Sequence, residues 1–271
     1  MNQQLTGLNL DIVAATKKPA TSTVNLDFFS GAGIIEGEIK LASQPVNSKN
    51  FSRIELEENI VIVGEGNRVI FSEAMADKTP EKLKIPAMAS KYIQMLSNLE
   101  YEAIGINIRG FLSFPEGKDA ASRYIASNFL ANASWQTIGE LPVRAASINL
   151  VFDRERSPFY LNIAEAAMRK EEDETTVPIV MFSGSFSYVL NGDFSEKLAY
   201  MHEVIANWQT DFTAFNEIIN NHFLAQNTVS SYQETPQMSS YQEITQIEAY
   251  QEMPQTESES ETNLYAMNGV S

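Results

Sequence analysis

The residues that could do chemistry in this chain are few. Across 271 residues there is no cysteine, and His202 and His222 are the only imidazoles. Disulfides, thiolate metal centres and cysteine nucleophiles are thereby excluded, and a histidine-rich metal centre is excluded with them. The two histidines lie 20 residues apart on one predicted helix, a span of ~30 Å at helical rise, so they cannot share a metal ion or form a dyad. Asp153 and Glu155 alternate with Arg154 and Arg156 in the manner of a charge-tuned acid/base pair. Ser157-Pro158 closes that stretch, however, and it reads as solvated charge on a hairpin. Glu171-Glu172-Asp173-Glu174 offers oxygen ligands for a hard cation but lacks the glycine and alternate spacing of a calcium loop, and reads as an exposed loop. Gly64-Glu65-Gly66 is followed by a strand pattern rather than the helix a phosphate loop requires, so a hairpin turn is expected. Ser183-Gly184-Ser185 sits inside a strand pattern without the flanking glycines of a nucleophile elbow. No catalytic residue, metal ligand or cofactor site follows from these motifs, and the expectation is a protein that is not an enzyme.

A different repetition marks the end of the chain. Ser230-Ser231-Tyr232-Gln233-Glu234 recurs as Ser239-Ser240-Tyr241-Gln242-Glu243 and again around Tyr250, a period of nine residues. Nine fits neither a heptad nor an eleven-residue supercoil, and Pro236 and Pro254 would interrupt a helix. From Gln226 onward there are seven glutamates and no lysine or arginine, so this stretch carries -7 of the net -16, leaving -9 for the body from 28 acidic and 19 basic residues. Residues 226–271 are poor in aliphatic side chains and without apolar period, the composition of a disordered segment. Two readings of the repeats are open, a neutral expansion within a linker or a multivalent ligand; on the second, Tyr232, Tyr241 and Tyr250, with the apolar group Leu264, Tyr265 and Met267, are the contacts of a partner that this tail would engage. Three copies of one short phrase raise effective concentration without new affinity per site.

The body, residues 1–225, is patterned throughout. Leu8, Leu10 and Ile12 alternate with Asn9 and Asp11 as in a half-buried strand. A weak helix is expected near Asp27 to Ser30, and residues 53 to 73 read as a three-stranded meander with turns at Glu57-Glu58-Asn59 and Gly64 to Asn67. Pro86 suits the first turn of a helix that places Met88, Tyr92, Met95, Leu96 and Leu99 on one face. Residues 101 to 114 form the clearest strand, with Ile104, Ile106, Ile108 and Leu112 on one side and Asn107, Arg109 and Phe111 on the other. A helix over 118–130 and strands near 143–152, 158–164 and 177–190 follow. Asp193 to Glu196 has capping-box spacing and opens a single helix over 193–223. Its heptad seam includes Trp208, Phe212 and Phe215, too bulky for a tight two-stranded supercoil, so the helix is expected to lie across a sheet.

Residues 1–99 and 100–225 share the order strand, helix, three strands, helix, and Pro45-Val46 before Ser52 to Leu56 is echoed by Pro142-Val143 before Ser147 to Leu150. The fold class expected is α+β: an antiparallel sheet with helices on one face, with two readings of the shared order open, a duplicated β-α-β-β-β-α unit or the coincidence of two α+β stretches. That element order resembles TBP-like and helix-grip proteins, and the resemblance implies an open or grooved sheet surface used for binding. Residues 63–74 (VGEGNRVIFSEA) and 102–114 (EAIGINIRGFLSF) resemble a group of bacterial proteins with no assigned activity, over most of residues 5 to 190. That resemblance transfers no ligand and no catalytic residue.

The outward strand positions Asn9, Asn107, Arg109, Asn149, Asn162, Ser183, Ser185 and Ser187 read either as ordinary solvated strand positions or, if the sheet has an open face, as the lining of a polar groove that Phe111 would join. A balance of -16 repels phosphate backbones and anionic lipid surfaces, which argues against nucleic acid and membrane as partners. The N-terminus lacks the charged and apolar regions of a secretory signal, no apolar run approaches the ~18 residues of a membrane span, and a cytoplasmic protein is expected. Three functions from different classes fit: an interaction or adaptor protein with an acidic presenting tail, a helix-grip small-molecule binder, and an acidic inhibitor that mimics nucleic acid.

Overall fold

Alternation of apolar and polar residues is what lets these strands share a sheet, because a period of two puts every second side chain on one face. The computed structural model describes residues 4–76, 78–131, 137–138, 141–142, 145–169 and 176–225. In chain order the elements are β1 (Thr6–Thr16), α1 (Leu26–Gly31), β2 (Val46–Asn47), β3 (Phe51–Leu56), β4 (Ile60–Glu65), β5 (Arg68–Ala74), α2 (Ile85–Met95), β6 (Tyr101–Ser113) and α3 (Ala120–Phe129). They continue as β7 (Thr137–Ile138), β8 (Leu141–Pro142), β9 (Ser147–Phe152), β10 (Phe159–Arg169), β11 (Thr176–Val189), α4 (Phe194–Ala206) and α5 (Trp208–Ile218). Nine strands form one sheet in the order β2-β3-β4-β5-β1-β6-β11-β10-β9, with every pairing antiparallel, and β7 and β8 pair separately. No helix among the described residues is long and apolar enough to cross a membrane.

The register aligns the apolar members of the strands into continuous rows. One row runs Ile54, Ile62, Phe71, Ile12, Ile106, Phe186, Phe159 from β3 to β10, and all seven side chains are buried. Helices meet the sheet on such rows. Tyr92 of α2 packs edge-on to Phe71 at 5.4 Å between ring centres, Phe29 of α1 lies 6.1 Å from Phe71, Phe129 of α3 meets Phe182, and Phe215 of α5 meets Phe159. Gly184 opposes Ile108 and Leu161 on the same face; a Cβ there would stand 2.5 Å from Phe215 and 2.7 Å from Phe159. The absent side chain is what lets α5 descend onto β11.

A buried carboxylate fixes the entry of α2. Glu73, fully buried on β5, accepts from the backbone N–H groups of Lys84 and Ile85 with Oε2 (2.7 and 3.0 Å) and from Lys78 Nζ with Oε1 (2.7 Å). It satisfies the unpaired donors of the helix start and complements its dipole from a neighbouring strand.

Several sequence expectations are corrected. The segment 193–223 is not one helix: α4 ends at Asn207, whose φ of -101° and ψ of 15° leave the helical region, and α5 starts directly after it. Asn207 closes α4 by donating its side-chain amide to Glu203 O (2.9 Å), and its carbonyl accepts from Thr210 N–H (3.0 Å). The expected capping box of Asp193 and Glu196 is present at the start of α4. The last seam residue, His222, is exposed in a π-turn over Ile219–Phe223. Met95, assigned to the buried face of α2, ends that helix 49% exposed. Ile85, Ala89 and Ile93 are buried with Met88 and Tyr92 instead, because the helix starts at Ile85 and its core stripe is wider than the run read from sequence. The short strands β2, β7 and β8 had no alternation long enough to be read.

Candidate binding face

The strand positions between the core rows point to the opposite face of the sheet, and the register brings the polar ones together. One cross-strand row is Ser72, Asp11, Asn107, Ser185, Tyr160, Val151; the adjacent row is Ala74, Asn9, Arg109, Ser183, Asn162, Asn149. The sequence-predicted residues Asn107, Arg109 and Asn149, from β6 and β9, therefore share one surface with Asn9, Asn162, Ser183 and Ser185. Phe111, opposite Met181, extends it by one row, and Ser187, opposite Gly105, flanks it on the other side.

Short polar side chains on neighbouring strands are within hydrogen-bond reach, and here they use it. Arg109 Nη2 pairs with Asp11 at 2.9 Å to Oδ2 and 3.2 Å to Oδ1. Asn9 donates to Asp11 Oδ1 (2.6 Å) and to Ser72 Oγ (3.1 Å). Ser185 donates to Asn107 Oδ1 (2.7 Å), and Asn162 donates to Asn149 Oδ1 (2.8 Å). Asp11 is only 7% exposed at the middle of this face, a carboxylate kept by its guanidinium and amide donors. Arg109 Nε is a buried donor with no hydrogen-bond partner among the described residues. Tyr160 (47% exposed) and Val151 (60%) place large apolar groups beside the asparagine pair near the β9 end. The arrangement is preorganised and spans several strands, and most of it is half-exposed; it can hydrogen-bond and pack against a surface or an extended segment. Nothing in it supplies a nucleophile with a base.

Asp11, Ser72 and Tyr160 were not singled out by sequence as face residues. Their parity was readable, since Asp11 stands two residues from Asn9, but which strands lie side by side was not.

Elsewhere the polar groups serve the fold. Ser90 on α2 and His202 on α4 are hydrogen-bonded at Oγ to Nδ1, 2.8 Å, joining two helices. The charged residues of the Asp153 to Ser157 loop are exposed, as expected of solvated charge, and its two arginines also make ring contacts. Arg154 lies over the Phe186 ring at 5.7 Å and Arg156 over the Tyr188 ring at 5.6 Å. Tyr188 Oη donates to Asp211 on α5 (2.8 Å), with Arg156 3.7 Å away. The aromatic ends of β11 and a buried acid draw the arginines in. Burial raises the Asp211 carboxyl above its ordinary value, against the opposing pull of Tyr188 and Arg156. Burial likewise pushes the Tyr92 hydroxyl up to about 12, against its bond to Thr23. Among the described residues no group of three His, Asp or Glu side chains is placed to hold a metal ion. The acidic run 171–174 and the partner candidates Tyr232, Tyr241, Tyr250, Leu264, Tyr265 and Met267 lie outside the described residues.

No family model and no curated protein matches the sequence.

Proposed function

We propose that this chain is a non-enzymatic interaction or adaptor protein that receives a protein partner on the polar face of its sheet and presents residues 226–271 to partners as repeated tyrosine motifs. The observation that carries the reading is the hydrogen-bonded polar surface around Asp11, Asn107 and Arg109, on the face opposite the rows that the helices cover. A solvated sheet face needs no such organisation, and a face with an anchored guanidinium and exposed Tyr160 has the aromatic and arginine content of a binding surface.

On this reading the helices occupy one face only and the two halves of the body are copies of one unit. The strand order supports it: reading outward from the central pair β1 and β6, each half continues with its last strand, then the middle of its meander, then the first. The element order resembles that of TBP-like proteins, and the resemblance implies an open sheet face used for binding. The helix-grip alternative needs a deep apolar pocket under residues 198 to 215; Phe159, Phe186 and Phe215 are buried together beneath α5, and the open clefts beside Leu198 and His202, about 260 and 270 Å³, are smaller than an ordinary ligand cavity. The acidic-mimic alternative needs clustered carboxylates, whereas the polar face carries Asp11 in a pair with Arg109.

The test is affinity purification from the native source with three baits: the full chain, a chain ending at Asn227, and the full chain carrying Asn107→Ala and Arg109→Ala. Partners lost with the face variant belong to the sheet, and partners lost with the truncation belong to the tail. An identical partner set for all three folded baits refutes the proposal.

A further inference from the structure

The two ends of the nine-stranded sheet are finished differently. Beyond β3 the chain doubles back: Leu41 bridges to Leu56, Ala42 N–H donates to Glu55 O (3.0 Å), Glu57 N–H donates to Lys40 O (2.9 Å), and β2 follows Pro45. At the other end β9 is the terminal strand among the described residues, and it reads Ser147-Ile148-Asn149-Leu150-Val151-Phe152 without a charge or a proline. Its register with β10 runs from Ser147 to Phe152 without a bulge. Charges, prolines and bulges are among the devices by which sheets protect an edge from pairing, and β9 has none of these three. Its Ile148, Leu150 and Phe152, which belong to the core face, are only partly buried, while Asn149 and Val151 are exposed on the polar face.

We propose that β9 pairs antiparallel with β9 of a second copy of this chain, with Asn149 opposite Asn149 across the two-fold axis. This occupant is argued from self-complementarity. An antiparallel pair related by a dyad perpendicular to the sheet keeps like faces together. Ile148 then stands opposite Leu150 of the mate on the core face, completing burial that one chain leaves half done. On the polar face Asn149 Oδ1 already accepts from Asn162, which leaves its amide N–H groups to donate across the dyad. The strand is uncharged although the chain carries -16, so no like charges face each other along the paired residues. The result is one sheet of twice nine strands in which the two polar faces become continuous. This inference does not rest on the adaptor reading, since it concerns the edge rather than the face.

Sedimentation equilibrium of the full chain tests it. The expected mass is twice the 30.2 kDa of one chain. Asn149→Lys, at an exposed position, puts two like charges directly opposite each other on the dyad; it is expected to sediment as a single chain with an unchanged far-UV spectrum. Because the chain has no other thiol, Asn149→Cys is expected to oxidise to a crosslinked pair. Ser147→Cys, ~13 Å from its own mate along the strand, exceeds the ~7 Å reach of a disulfide and stays uncrosslinked. A single-chain mass for the wild type overturns the proposal. So does a two-chain mass for Asn149→Lys, or crosslinking at 147 as readily as at 149.

Discussion

Gly184 is where the packing of α5 on the sheet can be tested with one methyl group. A Cβ at this position would lie 2.5 Å from Phe215 Cδ2, 2.7 Å from Phe159 Cε2 and 2.9 Å from Phe215 Cε2, whereas carbon atoms pack at ~3.5 to 4.0 Å. Both rings would have to withdraw by about 1 Å to restore that separation. Phe159 has no freedom to do so, being stacked 4.7 Å from Phe186 on one side and 5.8 Å from Phe152 on the other. Phe215 is fully buried and could retreat only by lifting α5. Overpacking of this kind costs ~1 to 3 kcal/mol, and two immobile neighbours put Gly184→Ala near the upper end. At ~2 to 4 °C per kcal/mol for a domain of this size, Tm should fall by ~4 to 12 °C. The assay is thermal unfolding followed by circular dichroism, with a cycle through Phe215→Leu. Trimming the ring should absorb part of the added methyl, so the double variant should be more stable than additivity predicts by at least ~0.5 kcal/mol. A Tm change under about 1 °C for Gly184→Ala would mean that there is space over β11. The packing argument would then fail, and a helix-grip cavity would regain support.

Two further perturbations separate buried charge from packing. Glu73→Ala removes the acceptor of two helix-start N–H groups and of Lys78; breaking a buried pair costs ~3 to 5 kcal/mol, and urea unfolding should show a loss of that size without a change in m-value. An unchanged midpoint would show that water replaces the carboxylate. Asp211 titrates above its ordinary value because it is buried. A raised folded-state value contributes stability that is complete below the unfolded value, ~4, and is lost as pH rises through the folded one. The Tm of the wild type minus that of Asp211→Asn should therefore decline from pH 4 upward, and a difference independent of pH would exclude this account. The three-bait purification and the β9 sedimentation experiment complete the set.

The sequence by itself determined where the longer strands lie and which way each side chain faces within them, though not the short β2, β7 and β8 or the extension of β10 to Arg169. Ile104, Ile106 and Ile108 alternating with Asn107 and Arg109 fix that parity locally, because the period of a strand is two. It also determined the capping box at Asp193 and the absence of thiol chemistry. Tertiary structure decided what no local pattern carries. The break at Asn207 interrupts a heptad seam that reads as continuous through Trp208, because helix propensity is a weak prior and side-chain capping and packing override it. The capture of Arg154 and Arg156 by aromatic rings and Asp211 joins segments more than 30 residues apart in the chain. The pairing of β1 with β6 at the centre of the sheet placed Asp11 beside Arg109, 98 residues away. A charge pair at such separation exists only once the chain has chosen its strand order, and that choice rests on burying whole rows of apolar side chains. The sequence supplied the polar residues of the face one strand at a time, and the register made them a surface.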